Sequence, residues 1–277
     1  MNRIFVFTST GNSLHLARKI ADGSGQTEIL SIPFLMKQKK WSIEGDKTGF
    51  IFPCNYGTIP QLVRQFISGA EKINTNYIFA VVSSGGGTGI ALKSLSQELK
   101  KRNQKLHYGR STILVSNYMN GWYYNSIYPG QNEFSERMNK ADQLCAEIIS
   151  DIKAGRQKRD KISYAKYLVP VLMSPKRYRQ DTGPWDCEYN VGDICNGCGI
   201  CVKACPAGNI KIDNGKPEFS HNCLRCMGCV QLCPKQAFFI QGKPMNKKPY
   251  LHPKISKIEL FDFHKNGIIP SRKASFR

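Results

Sequence analysis

The sequence predicts a doubly wound α/β domain followed by a small cysteine-rich α+β unit. Over residues 1–155, short continuous apolar runs alternate with amphipathic stretches. That is the pattern of a parallel sheet covered on both faces. Five such runs suit a five-stranded parallel sheet, which binds ligands at the carboxyl ends of its strands. Further on, residues 194–212 and 222–240 align at an offset of 28 and match four cysteines in each copy. The expected organisation is an α/β domain at 1–155, a basic connector at 156–185, the cysteine-rich unit at 186–243 and a basic tail at 244–277.

The elements follow in order. Residues 3–7 form the first apolar run and residues 8–13 a turn. Leu14, Ala17, Ile20 and Ala21 then recur at helical spacing. Residues 27–32 read as a second strand and 49–53 as a third. Ile59, Leu62, Val63, Phe66 and Ile67 share one helix face. Residues 77–82 are the fourth strand, followed by a glycine-rich turn at 83–89 and a helix carrying Leu92, Leu95 and Leu99. Residues 111–116 are the fifth. Phe134, Met138, Ala141, Cys145, Ile148, Ile149 and Ile152 mark a long amphipathic helix. His15 is expected to face solvent.

Composition removes several function classes. Apolar residues make up 41 % of the 277, enough for real cores, so a disordered chain is excluded. The longest uncharged apolar run, 167–173, is far below the roughly 20 residues a bilayer needs. Residues 4–7 are too short for a signal-peptide core. The 11 cysteines are an odd number in a long chain, unlike a secreted disulfide scaffold. A cytoplasmic, reducing setting is expected. The net charge is +20, concentrated in 151–180 and 244–277. Such flanks steer an acidic partner, or are simply a solvated surface.

The cysteines read as cluster ligands. Cys195, Cys198, Cys201 and Cys205-Pro206 repeat as Cys223, Cys226, Cys229 and Cys233-Pro234. This is the spacing of paired 4Fe–4S clusters. Three thiolates converge from one tight loop, and the fourth comes from the partner motif. Cys195, Cys198, Cys201 and Cys233 are therefore assigned to one cluster, and Cys223, Cys226, Cys229 and Cys205 to the other. Structural zinc takes four ligands from two separated pairs, a different pattern. Cys54, Cys145 and Cys187 remain as plain thiols.

Three turns read as a flavin site. Ser9, Thr10, Gly11, Asn12 and Ser13 precede the first helix, where free amides and hydroxyls make a phosphate cradle. An ordinary capped turn has the same residue types. The third strand ends in Pro53, Asn55, Tyr56 and Gly57, and the fourth in Ser83, Ser84, Gly85, Gly86 and Gly87. Side by side, these turns would take a flat aromatic ring with Tyr56 stacked on it, and FMN is the expected ligand. Asn117, Tyr118 and the run Trp122, Tyr123, Tyr124 follow the fifth strand as a lid, a docking patch or an ordinary packed loop.

The loop at 8–13 resembles the T/S-x-T-G-N-T/S loop of flavodoxins, and residues 186–243 look like a bacterial two-cluster ferredoxin. The arrangement is similar to flavodoxin–ferredoxin fusion proteins, sometimes called ferrodoxins. The likeness extends to Lys248-Pro249-Tyr250-Leu251-His252-Pro253 in the tail. It implies a flavodoxin-like fold and a redox protein with one FMN and two 4Fe–4S clusters. One departure is that residues 83–89 hold no acidic side chain, so flavodoxin partner choice and flavin potential do not carry over.

The expected function is electron transfer between FMN and the two clusters, serving an external acidic redox protein. A flavin-dependent reductase of a small acceptor or quinone is the alternative motivated by the Trp122 loop. An iron–sulfur protein whose flavodoxin-like domain has lost its flavin and serves for docking is another. A nucleic-acid-binding protein with structural clusters is a third, and no specific nucleic acid is expected. No side chain stands in a nucleophile or acid–base constellation. With each oxidised cluster and its thiolates contributing about −2, the cysteine-rich unit becomes negative between basic flanks.

Overall fold

The computed structural model describes residues 1–117, 129–161, 185–244 and 249–270. The aromatic run at 122–124, most of the connector and residues 271–277 lie outside these. Among the described residues, no helix is long and apolar enough to cross a membrane.

The α/β domain is built on β1 (Asn2–Val6), β2 (Thr27–Ser31), β3 (Ile43–Pro53), β4 (Ile73–Ser84) and β5 (Tyr108–Ile113). These five are parallel and ordered 2-1-3-4-5. Helices α1 (Asn12–Gly23), α2 (Ile32–Met36), α3 (Gln61–Gly69), α4 (Ala91–Lys101) and α5 (Gln131–Lys153) connect them. Two apolar cores result, one on each face. The first joins Ile4, Val6 and Val81 to Leu16, Ile20 and Ile148; the second joins Phe5, Phe50 and Phe52 to Val63, Phe66 and Leu95. Alternate strand residues point to opposite faces, so each continuous apolar strand feeds both cores.

The sheet has seven strands, two more than expected. Lys158–Arg159 (β6) pairs parallel with β5. Ile268–Pro270 (later β12) pairs antiparallel with β2. Such short edge strands are held by backbone hydrogen bonds and carry no apolar alternation to read. β3 and β4 also begin earlier than their apolar runs, at Ile43 and Ile73, because their first halves carry polar residues such as Glu44, Asp46, Asn74 and Asn76. β5 lies three residues upstream of its expected place. Leu114 and Val115 are buried, but beyond the last ladder pair, Ser84 with Ile113.

The cysteine-rich unit follows a 3-10 turn at Trp185–Glu188. It holds β7 (Tyr189–Val191), α6 (Ile200–Ala204), the hairpin β8 (Ile210–Asp213) and β9 (Lys216–Phe219), α7 (Gly228–Leu232), β10 (Phe238–Ile240) and β11 (Lys243–Pro244). It shares core with the sheet domain, since Ala204 and Leu232 belong to the same apolar cluster as Val6 and Leu14. The tail then returns across the sheet domain. Its helix α8 (Lys257–Asn266) is capped by Ser256 Oγ, which accepts from the Glu259 amide at 3.1 Å. Gly267, at φ +79°, ends that helix and turns the chain into β12.

Candidate functional site

The two cysteine motifs fold as copies of one turn. Gly197, Gly199 and Gly208 have φ of 67°, 71° and 64°, and their counterparts Arg225, Met227 and Gln236 have 50°, 62° and 49°. A left-handed residue with a side chain costs about 1–2 kcal/mol, so the second copy keeps the loop against its own backbone preference. In each copy the third cysteine lies in a five-residue helix, Cys201 in α6 and Cys229 in α7. Cys205 and Cys233 follow those helices in extended backbone. Four residues further on, amides turn back: Asn209 N donates to Cys205 Sγ at 3.3 Å and Ala237 N to Cys233 Sγ at 3.4 Å.

Cys205 sits with the second motif's three cysteines, and Cys233 lies near Cys195 and Cys201 of the first. Cys205, Cys223, Cys226 and Cys229 line one hollow. On the other side, Cys233 and Cys195 both act electrostatically on Cys201. Burial pushes the Cys201 and Cys223 thiols up to about 11. It pushes Cys226 and Cys229 higher still, and neighbouring cysteines add to the effect. Crowded, largely buried thiols cannot all ionise unaided; a cationic core among them would supply the missing charge. The donor set fits a 4Fe–4S cluster.

The two sites differ in surroundings. Cys198 is exposed, and Ile194, just before Cys195, is 62 % exposed. By contrast, Cys226 and Leu224 pack against the second core of the sheet domain. Asn117 Nδ2 donates to both Cys226 O, at 3.0 Å, and Ser9 Oγ, at 2.8 Å. The Asp186 to Asn209 and His221 bonds, at 2.7 and 2.9 Å, tie the 3-10 turn to the loops around Cys205 and Cys223.

The three sheet-edge turns do lie side by side. Ser13 Oγ and Ser83 Oγ are 3.2 Å apart, and Cys54 Sγ donates to Thr88 O at 3.4 Å. The phosphate-type loop, however, is closed by the chain itself. Thr8, Ser9, Thr10 and Ser13 are 1–3 % exposed. Thr8 O accepts from His264 Nε2 and Thr10 O from the His252 amide. Tyr250 OH donates to Asn12 Oδ1. A Cβ on Gly11 would meet Ile255 Cβ at 3.1 Å and His252 Cβ at 3.2 Å. At Gly228, where the repeat would place the counterpart of Ile200, an added Cβ would meet Ala204 O at 3.0 Å, with Ser9 in ordinary contact at 3.5 Å. In this arrangement the loop does not fit a flavin phosphate, because its open side is filled by residues 226–231 and 250–255. Tyr56 carries the Arg225 guanidinium over its ring at 5.2 Å, where an aromatic ligand was expected.

Residues 194–238 match the family of 4Fe-4S dicluster domains. No curated protein matches the chain. Among solved structures, a candidate flavoprotein from Bacteroides uniformis is 15 % identical, with 46 % of this chain and 93 % of that one covered, at a TM-score of 0.30. A likeness of that size decides neither fold nor ligand.

The dicluster segment thus sits on the sheet edge through residues that composition did not mark. Gln231 is fully buried, donates to Asn117 O and accepts from the Tyr250 amide, both at 2.7 Å. Arg225 stacks over Trp185 at 4.0 Å and pairs with Glu188 at 3.2 Å. The repeat held the one signal for it, a large cation where the first copy has Gly197. His15, expected at the surface, is 6 % exposed. It lies 2.8 Å from Asp142 on α5 and stacks on His252 at 4.2 Å, because α1 packs against both α5 and the returning tail. Cys54 and Cys145 are thiols whose pKa burial raises to about 12.

Proposed function

We propose that the protein is a one-electron carrier that holds two 4Fe–4S clusters on the edge of an α/β sheet. One group would sit on Cys195, Cys198, Cys201 and Cys233, the other on Cys223, Cys226, Cys229 and Cys205. The observation that carries this is the crossing of the fourth cysteines, with Cys205 among the second triple. When bound, such clusters supply one-electron exchange. The chain's own residues do the rest. Amides of Asn209 and Ala237 donate to thiolate sulfur, which lowers the cost of added negative charge there. The buried group faces the sheet domain through Cys226, and the one holding Cys198 faces solvent. An external redox protein would therefore dock over Cys198, steered by basic flanks if it is acidic.

The sheet domain, on this reading, is the seat of the dicluster segment and takes no flavin in the closed arrangement. A second reading keeps FMN, supported by the adjacency of Ser13 and Ser83. It requires residues 250–255 to leave Gly11. One preparation tests both. Anaerobically purified protein should hold about eight iron and eight sulfide per chain and no stoichiometric flavin. Zinc in place of iron overturns the first reading. One flavin per chain favours the second.

A further inference from the structure

We propose that Asp186, Cys187 and His221 form a binding site for one zinc-class divalent cation, separate from the eight motif cysteines. The three ligand atoms all lie within 4.8 Å of one another. Asp186 and Cys187 are adjacent in the 3-10 turn before β7, and His221 comes from the loop before the second motif. The Asp186 side chain is fully buried, while Cys187 and His221 are exposed.

The carboxylate is held in place for a ligand. Asn209 Nδ2 donates to Asp186 Oδ2 at 2.7 Å, and His221 Nδ1 lies 2.9 Å from Oδ1. A buried carboxylate is costly without a countercharge. Among the described residues, its ion-pair partner is this one imidazole, itself 62 % exposed and uncharged unless protonated. A cation between the carboxylate, the imidazole and the Cys187 sulfur would supply full charge at that point.

The donor set selects the metal. Sulfur, nitrogen and one carboxylate oxygen suit zinc, at about 2.3 Å for sulfur and about 2.0–2.2 Å for the others. Calcium and magnesium take oxygen alone. Asn209 is the outer donor that orients a ligating carboxylate. Three protein ligands at a surface leave a fourth position for water. On binding, Cys187 gives its thiol proton to solvent, and nothing is oxidised or reduced. The ion would pin the turn before β7 to the loop before the second motif. Asn209 extends that link, since its amide donates to Cys205 Sγ at 3.3 Å.

The test uses anaerobic protein with its clusters loaded. Zinc is titrated in, and the zinc K-edge absorption and the iron content are measured. One zinc per chain is expected, with one sulfur at about 2.3 Å and nitrogen or oxygen at about 2.0–2.2 Å, and iron unchanged. Cys187→Ser and His221→Ala alter exposed side chains and should keep their iron while binding zinc at least about tenfold more weakly. Three results would each overturn the proposal. They are no zinc above background, affinities in both variants equal to the parent's, and a shell of four sulfurs that places zinc in the motif cysteines.

Discussion

The Arg225 guanidinium lies 5.2 Å from the centre of the Tyr56 ring, linking the second cysteine motif to the turn after β3. The same side chain covers Trp185 and pairs with Glu188. Each desolvated cation–π contact contributes about 0.5–2 kcal/mol. Arg225→Ala should therefore lower the unfolding free energy of the loaded protein by about 1–3 kcal/mol. Arg225→Lys, which keeps charge but loses the planar stack, should fall between. Denaturant unfolding reads both; an Arg225→Ala loss under about 0.5 kcal/mol would show that the contact is incidental.

The crossing of the fourth cysteines separates the single-cysteine variants into two groups. Cys205→Ser should disturb the same reduced-state paramagnetic signal as Cys226→Ser. Cys233→Ser should disturb the same one as Cys201→Ser. If Cys205→Ser instead grouped with Cys201→Ser, each motif would hold its own fourth ligand and the assignment would fail.

Acid should loosen the tail. Burial, then the charges of His15 and Lys254, lower His252 from 6.5 to about 3. Burial lowers His264 from 6.5 to about 4. His252 Nε2 is buried without a hydrogen-bond partner among the described residues. Both rings are neutral when folded, so the unfolded chain binds more protons and stability rises with pH across this window. The loss therefore develops as pH falls from about 6.5 toward 3. Asp142 acts later: burial opposes it, but hydrogen bonds from Lys254 and His15 hold it well below the usual carboxylate range. The protection of amides in residues 250–255, taken relative to intrinsic exchange at each pH, should fall between about pH 6.5 and 4, and less so in His252→Phe. An equal fall in both would assign the effect elsewhere.

Gly11 disfavours a side chain. Its φ is +88°, and an added Cβ would press on Ile255 and His252. Gly11→Ala should cost about 1–3 kcal/mol through left-handed strain and overpacking. It should also free residues 250–255, seen as lost amide protection there. Unchanged stability and protection would mean that the tail does not bear on the loop.

The charge surplus predicts a kinetic sign. With 40 basic against 20 acidic side chains, oxidation of the reduced protein by an anionic complex such as hexacyanoferrate should slow as ionic strength rises. Oxidation by a neutral quinone should not. A rate that rises with salt for the anion would place negative charge, not the basic flanks, at the point of electron exit.

The alternation of apolar strands and amphipathic helices determined the α/β class, because burial on both faces leaves long continuous apolar runs such as those in β1 and β4. The doubled cysteine spacing determined the dicluster segment, because only a fixed set of gaps lets three thiols converge from one loop. What the sequence could not determine is what covers the sheet edge. A loop such as residues 8–13 looks the same whether phosphate or protein fills it, since both are met by the same amides and hydroxyls. In the structure, residues of the chain cover it. Tertiary structure brought Asn117, Gln231, Tyr250 and His252 from three distant segments onto one loop, set Arg225 on Tyr56, and buried His15. Each of these is a polar residue with no periodicity of its own, and its burial depends on partners that lie up to about 240 residues away, as Asn12 and Tyr250 do.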